Sequence, residues 1–142
     1  MKSLEIRPYK TSEFEEVFQV YQLSRAGETC FADAEISRKK FSHLIRGEQI
    51  YVSVIEERIV GFISIWPAEK FIHHFYVLPE HQGKGIANKL MAHLISIFDL
   101  PLSLKSLAEN KKACAYYEHM GWLNEEVGGG PDGLYHHYWL RA

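Results

Sequence analysis

A strand, a short glycine-bearing loop and an amphipathic helix follow one another in the middle of the chain, and this passage constrains the fold more than any other. Phe71 to Leu78 is rich in aromatic and β-branched residues, Pro79 stops it, and Glu80-His81-Gln82-Gly83-Lys84-Gly85 leads into a helical pattern. In that pattern Ile86, Leu90, Met91, Leu94, Ile95 and Phe98 make one continuous apolar face. Unpaired backbone N–H groups and the positive end of the helix dipole converge at such a junction, so the loop is a candidate anion cradle. An ordinary tight turn using glycine for its positive φ is the plainer reading of the same residues. A P-loop would need Gly-Lys-Ser/Thr after a longer spacer, which is absent. A Rossmann fingerprint would need a third glycine where Asn88 stands and repeated βαβ units around it.

The flanking segments do not supply those units. Gln49 to Glu56, Ile59 to Trp66 and Phe71 to Leu78 are strand-like with short connectors, which predicts an antiparallel meander. Leu4 to Tyr9 reads as a short strand before it. Ser12-Glu13-Phe14-Glu15 has capping-box form ahead of a helix whose Phe14, Val17, Phe18 and Tyr21 share one stripe, fraying near Gly27. A second helix is expected from about Glu35 to Arg46, ended by Gly47. After the central helix, Pro101 to Leu107 alternates as a strand and completes one βαβ crossover. Asn110 caps a last helix with Ala113, Tyr116, Tyr117 and Met120 on one side, closed by Gly121. About Trp122 to Val127 and Leu134 to Leu140 read as a hairpin with a long, mobile tip from Gly128 to Gly133. No repeat or separating linker interrupts the pattern. The expectation is one domain over residues 1–142, α+β, with a mixed sheet.

Composition narrows the function classes. The chain carries 16 Lys+Arg against 18 Asp+Glu, a formal net charge of −2, without the basic excess of a general nucleic-acid binder. At 142 residues a domain buries roughly 70% of its unfolded surface and needs no disulfide or structural metal. Cys30 and Cys114 lie far apart and form neither a disulfide framework nor a zinc spacing. The N-terminal residues lack a signal-type apolar core, and no apolar run approaches the roughly 18 residues of a spanning helix. A cytoplasmic chain that engages neither membrane nor nucleic acid is expected, as a small-molecule enzyme, a binding module or a ligand sensor.

Two motifs favour the first. Gln82, Gly85 and Ala87 fit a Gln/Arg-x-x-Gly-x-Gly/Ala signature, and Asn110, Ala113, Tyr116-Tyr117 and Gly121-Trp122 fit a second landmark downstream. With both in this order, nearly the whole chain resembles the GNAT superfamily of acyl-CoA-dependent N-acyltransferases. The resemblance implies a mixed, mostly antiparallel sheet of six or seven strands flanked by about four helices, acetyl-CoA as cosubstrate and no metal. It implies a phosphate cradle at Gln82, Gly83, Lys84, Gly85, Ile86, Ala87 and Asn88, and a pantetheine-pairing strand edge at Phe75, Tyr76 and Val77. Asn110 would contact the coenzyme's arm besides capping its helix, and Tyr117 resembles the family's thiol-protonating tyrosine.

Acyl transfer from a thioester to an amine needs a neutral amine, a donor for the carbonyl oxygen and a proton for the departing thiolate. His73 and His74 lie on the strand leading to the glycine loop, and period-two alternation sends them to opposite faces. His73 is the preferred base, by resemblance to arylalkylamine-type members and because a histidine titrates near neutrality. His74, Arg25, Glu28, Phe31 and Tyr135 are acceptor-site candidates. A metal site built from His73, His74, His136 and His137 is not expected, since adjacent strand residues point apart and offer one ligand per face. Cys114 reads as inert packing. The acceptor is expected to be a primary amine of a small molecule or peptide, and the paired histidines do not reproduce the glutamate base of histone-type members. The chain would act as a monomer or homodimer. The competing reading is a catalytically weak acyl-CoA sensor or interaction module on the same fold.

Overall fold

Among the described residues, seven strands form a single sheet in the order β1-β2-β3-β4-β5-β7-β6. The computed structural model describes residues 3–26, 36–131 and 133–141. Glu28, Cys30 and Phe31 lie outside the described residues. The strands are β1 (Leu4–Pro8), β2 (Gln49–Ile55), β3 (Arg58–Trp66), β4 (Phe71–Val77), β5 (Leu102–Leu107), β6 (Leu123–Gly130) and β7 (Gly133–Leu140). The helices are α1 (Phe14–Ala26), α2 (Arg38–Leu44), α3 (Ile86–Ile97) and α4 (Lys111–His119). Among the described residues only β4 and β5 pair in parallel, as the crossover through α3 requires, and every other neighbouring pair is antiparallel. The mixed, mostly antiparallel sheet with four helices is therefore as expected.

The core lies on both sides of β3, where Ile59 to Ile65 are buried without interruption. An antiparallel strand with one wet face would alternate, so the continuous burial means both faces are covered. On one face Phe62 meets Phe41 of α2, ring centroids 6.2 Å apart. Tyr51 stands opposite Ile63 in the register, on the other face, and meets His93 of α3 at 5.2 Å. Leu90 and Leu94 of α3 are fully buried, and each such side chain contributes about 1.5–3 kcal/mol through burial.

Three local expectations are corrected. Ser12 does not cap α1: a 3-10 turn over Thr11–Glu13 precedes the helix, and Glu13 takes the capping role. Its carboxylate accepts the backbone N–H of Lys10 at 2.9 Å and the guanidinium of Arg7 at 3.0 and 2.5 Å, joining the end of β1 to the helix entrance. The second helix starts later, at Arg38, because Ser37 accepts the N–H of Lys40 and fixes the boundary there. The hairpin tip is not long: β6 and β7 stay paired to Gly130↔Gly133. Gly128 faces Tyr135 in this ladder, and the tyrosine ring fills the space a Cβ would take. Gly128, Gly129, Gly130 and Gly133 are strand residues, and at Gly128 the absence of a side chain permits the close approach.

One irregularity matters for the site. In the β3–β4 ladder Ser64 faces His74 and Ile65 faces Ile72, so His73 is an extra residue opposite nothing. Such a bulge breaks the alternation of side chains and re-aims the inserted one.

Candidate active site

β4 and β5 pair through only Phe71↔Ser103 and Ile72↔Leu104. Beyond that point they diverge, and a cleft of about 910 Å³ opens between the outer half of β4, β5, the glycine loop and α4. The predicted pantetheine edge, Phe75 to Val77, lines it, as do Tyr117, Asn110 and His73. Among the described residues, no strand is registered against β4 on this side past Ile72, so its edge there is open to an extended ligand up to Val77, whose carbonyl already accepts from Gln82 and Ser24.

The glycine loop closes one end. Gly83 and Gly85 both have φ of +80°, and the space around each is open. The glycines therefore serve the left-handed backbone rather than crowding, and Gly85 forms the N-cap of α3 with no side-chain cap. The first N–H groups of α3 are left to an incoming anion. Gln82 pins this loop: its Nε2 donates to the carbonyl of Val77 at 3.1 Å, and its Oε1 accepts from Lys112 Nζ at 3.0 Å. Lys112 lines the cleft, whereas Lys84 does not. Asn88 accepts the hydroxyl of Tyr116 at 2.7 Å, tying α3 to α4 across the cleft. Asn110 accepts the N–H of Ala113 at 3.2 Å and is the helix cap that its position suggests.

Tyr117 lies on the inner side of α4, 9% exposed, between the rings of Tyr138 and Trp122 at 5.6 and 6.0 Å. Burial pushes its phenol well above the ordinary tyrosine range, so it keeps its proton at any working pH. It lines the cleft.

At the other end the bulge brings His73 and His74 together instead of parting them. Their rings are 4.0 Å apart, and both Nδ1 atoms face the carboxylate of Glu48, which precedes β2. His73 Nδ1 is 2.5 Å from Glu48 Oε2, and His74 Nδ1 is 3.4 Å from Oε1. His74 Nδ1 also lies 2.9 Å from Ser64 Oγ. The side chains of Glu48 and His74 are 3% and 4% exposed, while that of His73 is 36% exposed, which makes His73 the one a substrate can reach. Burial holds His74 down at about 4, so it is a neutral imidazole near neutrality. Burial alone would raise the Glu48 carboxyl, but the imidazoles on its two oxygens outweigh that and bring it to about 2. Glu48 is a residue that sequence reading missed, as Lys112 is at the glycine loop. No local pattern marks Glu48, because its link to His73 spans 25 positions and depends on the register of three strands.

Two acceptor-site candidates lie elsewhere. Arg25 is buried with its guanidinium 5.0 Å over the Tyr21 ring and does not line the cleft. Tyr135 does not line it either, and its ring stacks 4.6 Å from Lys105 Nζ.

The sequence model of the acetyltransferase (GNAT) family matches residues 7–122. The chain belongs to this family. Its members' class of activity, N-acetyl transfer, is the activity of the enzyme. An uncharacterized N-acetyltransferase of Escherichia coli K12, YafP, is 25% identical over 103 residues, covering 67% of each chain. Among solved structures, a GCN5-related N-acetyltransferase from Rhodopseudomonas palustris superimposes with a TM-score of 0.84 at 15% identity, covering 99% of this chain and 96% of that one. YncA of Salmonella typhimurium, an acetyltransferase determined with acetyl-CoA, gives 0.74 at 15% identity, covering 98% and 94%. At these identities the structural likenesses speak for the GNAT fold alone.

Proposed function

We propose that this enzyme transfers the acetyl group of acetyl-CoA to a primary amine of a small molecule or peptide, by direct attack in a ternary complex. The observation that carries the reading is that His73 and Tyr117 line the same cleft, which ends at the glycine loop and α3 N-terminus. Binding of acetyl-CoA to YncA, which shares the fold, supports the choice of cosubstrate.

The coenzyme's pyrophosphate would sit on the N–H groups of the Gln82 to Asn88 loop, with Lys112 beside it, and its arm along the free edge of β4. An alkylamine with a pKa near ~10 arrives protonated and must lose a proton before it can attack. His73 takes that proton through its outward ring nitrogen, directly or through water. Glu48 keeps the Nδ1–H form in place by accepting its hydrogen bond. The amine nitrogen then bonds to the thioester carbon as the carbonyl electron pair moves onto oxygen; when that pair returns, the C–S bond breaks and the sulfur leaves with its electron pair. Tyr117 donates to that sulfur, and the second proton on nitrogen passes through water to restore the Tyr117 phenol. A desolvated thiolate is raised in the same way as the phenol, so donation becomes favourable as charge builds on sulfur in the buried pocket.

His73→Ala tests the base. Thiol release from acetyl-CoA over a panel of amines should fall about 10²- to 10³-fold, with partial recovery on adding free imidazole and unchanged coenzyme affinity. Unaltered turnover in this variant would remove His73 from the reaction. Binding of acetyl-CoA by the native chain with no turnover on any amine would favour the sensor reading.

A further inference from the structure

We infer that Glu48, His73 and His74 form a binding site for a divalent transition metal of the Zn²⁺ class, and that its occupancy stops acetyl transfer. One ligating atom from each of the three residues falls within 4.8 Å of the others. Two imidazole nitrogens and a carboxylate oxygen suit Zn²⁺, Ni²⁺ or Cu²⁺ and not Mg²⁺ or Ca²⁺. With metal bonds of about 2.0–2.1 Å, neighbouring ligand atoms in a tetrahedral site lie about 3.3 Å apart. The separation of His74 Nδ1 from Glu48 Oε1, 3.4 Å, is near that value, whereas His73 Nδ1 and Oε2, hydrogen-bonded at 2.5 Å, must part to admit the ion.

Two further observations support the site. Glu48 Oε1 is buried and makes no hydrogen bond of good geometry among the described residues, its imidazole neighbour His74 Nδ1 standing 3.4 Å away and nearer to Ser64 Oγ, although Oε2 is engaged. A buried carboxylate oxygen left in that state costs free energy that a cation would recover. The bulge at His73 is the second: it cancels the alternation that would have placed the rings on opposite faces. The His73 side chain is 36% exposed and so has room to turn Nδ1 onto the ion while the buried Glu48 and His74 stay fixed. His74 exchanges its contact with Ser64 Oγ for the metal bond. Because His73 faces the cleft, the remaining coordination positions open to water.

The effect on catalysis follows from the proton count. A metal bound through Nδ1 of a neutral His73 shifts the ring proton from Nδ1 to Nε2, and no proton is lost. If the ring begins as imidazolium, one proton is released. Either way Nε2 carries hydrogen and can no longer accept one from the amine. This inhibitory half rests on the proposed role of His73, whereas the binding half does not.

The test uses chelator-stripped full-length chain titrated with ZnCl₂ alone by calorimetry, in parallel with thiol release. One high-affinity equivalent is expected, absent with MgCl₂, weakened at least 10-fold in Glu48→Gln and in His74→Gln, together with an inhibition of turnover that EDTA reverses. His73→Gln, at the exposed position, provides the same binding readout should either buried variant fail to fold. No binding, or binding unchanged by these substitutions, overturns the site. Binding without inhibition keeps the site and overturns His73 as the base.

Discussion

His73 owes its position to one inserted residue, and Glu13 shows the same economy at the other end of the sheet. A single carboxylate caps the turn before α1 and holds Arg7 of β1. The hydrogen bond from Arg7 holds the Glu13 carboxyl below its ordinary value of 4.5, against the opposing effect of burial. A group whose pKa is lowered on folding stabilises fully above the unfolded value, and that stability is lost as the pH falls through the folded one. Glu13→Ala should therefore lower the unfolding free energy by about 1–2 kcal/mol near neutrality, measured by urea denaturation, with the gap closing below pH 4.5. A gap that persists unchanged into acid would mean that the loss is one of packing.

At the scale of elements, much was readable in advance because each signal was local. The meander, the α3 face, the cap at Asn110 and the crossover to β5 follow from periodicity and terminators a few residues apart. What escaped needed pairing information. Ser12 has the right chemistry for a cap, but Glu13 could reach both Lys10 and Arg7 only once β1 was in place. Six residues, four of them glycine, between Val127 and Leu134 read as a loose tip, yet the run extends the ladder because Tyr135 needs the space beside Gly128. Glu48 and the bulge at His73 are invisible for the same reason: both are properties of register. The glycine loop was legible, and it makes a sharp prediction. Gly85→Ala puts a side chain at φ +80° in the left-handed region, costing about 1–2 kcal/mol. The loss should appear as several-fold weaker coenzyme binding by calorimetry with a small change in melting temperature. Lys84→Ala, outside the cleft lining, should leave that affinity unchanged. Equal losses in both variants would mean that the loop binds through charge rather than through its backbone.

On the scale of the whole molecule, the seven strands serve to hold one gap open. β3, covered on both faces, is the rigid spine; β4 is fixed to it along one edge and leaves the other to the cleft. A chain with a net charge of −2 has no general attraction for an anionic coenzyme, so in the proposed complex oriented amides and Lys112 would do the holding. The same gap collects the proposed base at one end and the proposed acid on its wall. Tyr117→Phe probes that convergence. The substitution removes one oxygen from a buried ring and leaves its packing intact. Thiol release with a competent amine should drop about 10²- to 10³-fold, roughly 3–4 kcal/mol in the barrier, while the affinity for coenzyme A by calorimetry stays within about twofold. Turnover equal to that of the native enzyme would contradict the account.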